Sequence, residues 1–95
     1  MALIYIVEDD KNIREIETYA LKNSGYDTKD FSCAKDFYAQ LAIKKPNLII
    51  LDIMLPDEDG LSIVENLRSR AETRKLPIIM VTAKGEDMDK IMGLE

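Results

Sequence analysis

The sequence predicts an α/β fold: a doubly wound parallel sheet with strands in the order 2-1-3-4. Three observations carry that prediction. Leu3 to Val7, Leu48 to Leu51 and Leu76 to Val81 are apolar runs broken only by Pro77, as strands buried on both faces require. Amphipathic helical stretches alternate with these runs, so each strand returns to the sheet by a right-handed crossover. The first and third runs also end in acids, at the carboxyl edge where open α/β sheets bind ligands.

The first run stops at Glu8-Asp9-Asp10, and Asp10 is placed to cap the following helix. Ile13, Ile16, Ala20 and Leu21 form that helix's apolar face, with Arg14, Glu15 and Lys22 opposite. Gly25 is placed to end it in the left-handed conformation. Tyr26 to Phe31 alternates in polarity and reads as an edge strand. Ser32 is positioned to cap a second helix, whose face is Ala34, Phe37, Tyr38, Leu41 and Ala42. Lys44-Lys45-Pro46-Asn47 breaks it; the basic pair is a solvated helix end.

The central run Leu48 to Leu51 ends on Asp52, and Pro56-Asp57-Glu58-Asp59-Gly60 turns the chain into a third helix. Its face is Ile63, Val64, Leu67 and Ala71. After the strand ending at Val81 come Thr82-Ala83-Lys84-Gly85, and a last helix with Met88, Ile91 and Met92 inward.

Composition narrows the function. Ninety-five residues suit one domain, and 46% hydrophobic with 33% charged residues is ordinary for a soluble globular protein. A net charge of −5 disfavours nucleic acid and anionic membranes as direct partners, and favours cations and basic protein surfaces. With one cysteine, Cys33, and no histidine, an internal disulfide, a Cys/His zinc site and a Ser-His-Asp triad are excluded. The amino terminus lacks the features of a signal peptide and no stretch is long enough to span a membrane, so a cytoplasmic location is expected.

In the predicted strand order the first and third strands are neighbours, so Glu8 or Asp9 comes within several Å of Asp52, with Thr82 on the same rim. Two carboxylates about 5 Å apart repel by roughly 3 kcal/mol at an effective dielectric near 20. A divalent cation with oxygen ligands relieves this, and magnesium suits a small, open, water-rich site. Protonation of one acid, divergence into solvent, or Asp52 serving only as a cap for the next turn are the simpler alternatives.

Val7-Glu8-Asp9-Asp10, then Leu51 to Gly60, then Pro77 to Ala83, resemble in order and spacing the receiver domain of two-component response regulators. The resemblance spans the chain from its first strand. It implies a flavodoxin-like sheet that takes a phosphoryl group from a histidine kinase. Asp52 resembles the phosphoacceptor, Asp9 the direct magnesium ligand, and Glu8 its neighbour acting through water. Met54 falls where a backbone carbonyl completes the metal site. Thr82 resembles the switch hydroxyl, and Ala83 the small residue that leaves the phosphoryl group room. The wording around Asp52 and Met54 looks most like receivers joined to a winged-helix DNA-binding domain.

The family also has a fifth parallel strand bearing a lysine and an aromatic switch residue, and a fifth helix. The sequence stops before these, and Lys84 and Lys90 do not occupy the lysine's position. The expectation is a receiver of residues 1–95 truncated before those elements. The strand ending at Val81 would then offer an open edge, inviting self-association or a homodimer. Two other readings are a phosphatase of the haloacid-dehalogenase type and a binding module impaired in phosphorylation. The phosphatase wants a second acid two residues after the nucleophile, where this chain has Met54.

Overall fold

The computed structural model describes residues 2–81 and 91–94. The elements are β1 (Leu3–Val7), α1 (Lys11–Asn23), β2 (Asp27–Phe31), α2 (Ala34–Ile43), β3 (Leu48–Asp52), α3 (Gly60–Arg68), β4 (Ile78–Val81) and β5 (Ile91–Leu94). The first four strands are parallel in the order β2-β1-β3-β4, as the alternation predicts. Ile4 pairs with Leu48 and Asp52 with Val81, so the ends of β1, β3 and β4 reach one rim.

Successive strand residues point to opposite faces, and the two faces are filled differently. Tyr5, Val7, Ile49, Leu51 and Met80 pack with Phe37 of α2 and Ile63 and Leu67 of α3. Tyr5 is fully buried, and its hydroxyl donates to the Lys44 carbonyl. Edge-to-face rings extend from it to Phe31 at 5.2 Å and Phe37 at 6.3 Å. The other face carries Ile4 and Ile6, buried, and Ile50 and Ile79, half-buried.

Local signals worked at both ends of α1. The Asp10 carboxylate accepts from the Ile13 N–H, and Gly25 takes φ 93°, which costs least without a Cβ. The inward side of α1 keeps Ile13 and Leu21 of the expected face but not Ile16 or Ala20. Ile16 and Tyr19 are 68% and 69% exposed, while Ile13, Arg14, Glu17, Thr18 and Leu21 lie half-buried. Arg14, expected on the opposite side, is half-buried too: its guanidinium donates to the Glu8 carbonyl and pairs with Asp30 of β2, both at 2.9 Å.

Three further expectations are corrected. Ser32 does not cap α2. Cys33 holds that position without a side-chain bond, and Asp57 caps the helix from across the fold. The third helix ends at Arg68, leaving Ala71 in an exposed turn, because the Arg68 guanidinium gathers the Arg74 and Leu76 carbonyls beneath it. Ile91 and Met92, expected in a helix, belong to β5, which runs antiparallel along β4 and pairs Val81 with Ile91. A strand edge needs partners for its N–H and C=O groups, and β5 supplies them. The open edge expected on β4 is therefore occupied. Glu86, Asp87 and Met88 lie outside the described residues.

Candidate functional site

Glu8 follows the last residue of β1, and Asp52 is the last residue of β3. Both sit at the end of apolar strands and are nearly sealed, at 1% and 2% exposure. Asp9 is half-buried beside them, and one oxygen from each of the three acids falls within 4.8 Å of the others. The predicted convergence is therefore present. Among the simpler alternatives, divergence into solvent does not occur.

Backbone bonds hold the cluster. The Glu8 N–H donates to Phe31 O at 2.9 Å, and a Glu8 carboxylate oxygen accepts from the Asp10 N–H at 3.0 Å. The Met54 N–H donates to Asp52 Oδ1 at 3.2 Å, so Asp52 caps the following turn and faces the other acids at once. Met54 thus lies directly at the rim, with its side chain exposed. Thr82 and Ala83, with Lys84 and Lys90, lie outside the described residues, so the structure does not place them against the acids.

Burial pushes the Glu8 carboxyl up to about 7; the Asp10 N–H opposes that, and the charge of Asp52 and a hydrogen bond shared with it add to it. Glu17 of α1 was not read from the sequence as part of this site. Burial and then the charge of Asp52 raise its carboxyl, and its Oε1 is enclosed with no hydrogen-bond partner among the described residues. The spacing would have found it: Glu17 lies one helical turn from both Ile13 and Leu21, on the same half-buried side of α1.

The donor set fits a hard divalent cation: carboxylate oxygens converging from separate elements, whose mutual repulsion a cation would relieve. A recess of about 430 Å³ between α2 and α3, lined by Tyr38, Lys45, Asn66 and Arg70 among others, lies at the other end of those helices and shares no residue with the acids.

The sign of the pH effect follows. A folded-state Glu8 near 7 against an ordinary value of 4.5 means the folded protein binds the extra proton across that interval. Stability without divalent ions should therefore be fullest below about pH 4.5 and fall as pH rises through 7, by at most about 3 kcal/mol before screening. Glu17 adds in the same direction. Urea melts at pH 4.5 and 7.5 check this. The decline should shrink in Glu8→Gln and with saturating Mg²⁺; stability that rises over this range would contradict the burial of Glu8. Asp57, whose carboxyl is held below its usual 3.8 by the N–H groups of Ala34 and Lys35, stabilises the fold throughout this interval and loses that contribution only as pH falls below 3.8.

Comparison with known proteins agrees with this geometry. The family model described as "Response regulator receiver domain" matches residues 4–95. The transcriptional regulatory protein GltR of Pseudomonas aeruginosa is 43% identical over 93 residues, covering 97% of this chain and 38% of that protein. The phosphate regulon transcriptional regulatory protein PhoB of the same organism is 41% identical over 92 residues, covering 97% and 40%. The chain thus spans about two fifths of the length of these relatives. The N-terminal domain of a response regulator receiver protein from Methanoculleus marisnigri superposes with a TM-score of 0.82 at 28% identity, covering 90% of this chain and 70% of that one. Among the described residues no helix is long and apolar enough to cross a membrane. With parallel strands in the order 2-1-3-4, buried acids at the β1 and β3 ends and a family match across the described sheet, the chain belongs to the response regulator receiver domains.

Proposed function

We propose that Asp52 is the phosphoacceptor of this receiver. Asp9 would ligate magnesium directly, Glu8 through water and Met54 through its backbone carbonyl. The observation that supports this most is the buried convergence of Glu8, Asp9 and Asp52. An Asp52 oxygen attacks phosphorus, an acyl phosphate forms, and the donor's leaving group departs with the bonding pair. Bound magnesium supplies charge neutralisation for the carboxylates and the incoming phosphoryl oxygens. The chain's own part is to hold Asp52, nearly buried, at the strand end and aligned by the Met54 N–H. Thr82 provides the hydroxyl that bonds the phosphoryl group, and Ala83 leaves it room.

The donor is a histidine kinase, and the domain acts as a switch that carries the group rather than as a turnover enzyme. Residues 1–95 form one receiver domain. The names of the relatives support a regulator of transcription; the resemblance around Asp52 and Met54 adds a winged-helix DNA-binding output, a cytoplasmic location, and no nucleic acid bound by this stretch itself. Intact-mass measurement after incubation with Mg²⁺ and acetyl phosphate tests the reading. One hydroxylamine-sensitive phosphoryl adduct is expected. No adduct in the folded, Mg²⁺-loaded protein would leave it a protein-binding module.

A further inference from the structure

We propose that Asp57 is a positioning residue for the phosphoacceptor rim, clamping the β3–α3 loop to the amino end of α2. The first N–H groups of a helix have no partner within it. At α2, Cys33 offers no side-chain bond, and the N–H groups of Ala34 and Lys35 donate instead to Oδ1 and Oδ2 of Asp57, each at 2.9 Å. A carboxylate at the positive end of a helix, bonded through both oxygens, is a strong tether.

The neighbouring residue adds a weaker one. Glu58 Oε2 accepts from the Tyr38 hydroxyl at 3.3 Å and from the Asn66 amide at 3.4 Å. At the loop's base, the Gly60 N–H donates to Ile53 O at 2.7 Å, and Met54 bridges to Asp59. Backbone bonds thus tie the base, and Asp57 ties the tip through two bonds of 2.9 Å. Met54, two residues after Asp52, sits at that base, and the tip anchored by Asp57 continues from it. Asp57 itself is exposed, takes no part in the core, and stands apart from the acid cluster. Its role rests on the reading that the Met54 carbonyl helps hold magnesium.

Two measurements test it, on the wild type, Asp57→Ala, Asp57→Asn and Ala39→Gly. The last weakens α2 on its exposed side, away from the loop. In metal-free protein, Asp57→Ala should speed amide exchange at Met54 as well as at Ala34 and Lys35; exchange unchanged at Met54 overturns the proposal. In Mg²⁺ titrations followed by amide shifts, Asp57→Ala should raise the dissociation constant about tenfold, the loss typical when the support of a ligand is removed. Asp57→Asn, which keeps one acceptor oxygen, should recover part of that. Ala39→Gly should lower the melting temperature without moving the constant. If Asp57→Ala shifts the constant no more than Ala39→Gly does, Asp57 is only a helix cap. If the wild type shows no Mg²⁺-dependent shifts, the metal reading has failed, and the clamp proposal falls with it.

Discussion

Asp52→Asn is expected to reduce phosphoryl incorporation to background while leaving the fold intact. Asparagine matches aspartate in shape, and its amide oxygen can still accept from the Met54 N–H, a bond of 3.2 Å in the native protein. What it lacks is a nucleophilic carboxylate. The substitution also removes one of the like charges gathered within 4.8 Å, a repulsion of roughly 3 kcal/mol at an effective dielectric near 20. Metal-free Asp52→Asn should therefore be at least as stable as the wild type at pH 7, and its Glu8 carboxyl should titrate closer to its ordinary value. The combination is diagnostic. A merely misfolded variant would lose the adduct and stability together. An adduct that persists would put the nucleophile on another side chain, with Glu8 and Asp9 the first to examine.

Gly60→Ala should have the largest effect on stability of any single-methyl change near the rim. A Cβ at position 60 would lie 2.6 Å from the Asp52 carbonyl oxygen and 2.7 Å from the Ile53 Cα. Both obstacles are backbone, so no side-chain rotation can relieve the clash. The Gly60 N–H bond to Ile53 O, at 2.7 Å, draws α3 directly against the end of β3 and leaves no slack. Alanine would favour the helix by up to about 1 kcal/mol, and overpacking of this kind usually outweighs that. A net loss of about 3 kcal/mol is expected. Because the clash falls on Asp52 itself, Mg²⁺ affinity should drop as well. A variant as stable as the wild type in urea would show that α3 can lift away from β3 at little cost.

The parts of this fold legible in the sequence are those decided by a residue and its near neighbours. Continuous apolar runs gave β1, β3 and β4, and the acids that close the first two marked the rim. Asp10 and Gly25 announced the two ends of α1 through local hydrogen bonding and φ. What escaped depends on contacts between distant segments. Arg14, expected outside, reaches Asp30 and the Glu8 carbonyl, while Ile16, expected inside, is exposed. Asp57 caps α2 from 23 residues away, so Ser32 only imitated a cap. Ile91 and Met92 have the spacing of a helix face, yet the backbone of β4 recruits them into a strand.

The strand pairing bears on how the pocket comes into being. Each parallel partner is remote in the chain: Leu3 meets Asp27, Ile4 meets Leu48, and Ile49 meets Ile78. Such pairings close long loops before any contact repays the lost chain entropy, so they form late and slowly. Glu8 and Asp9 belong to one side of the β1–β3 seam and Asp52 to the other, and no shorter piece of chain brings them together. The pocket and the fold are therefore acquired in one step. An unfolded chain has no converged acids to offer, so a divalent cation that binds them would add its binding free energy to the stability of the fold.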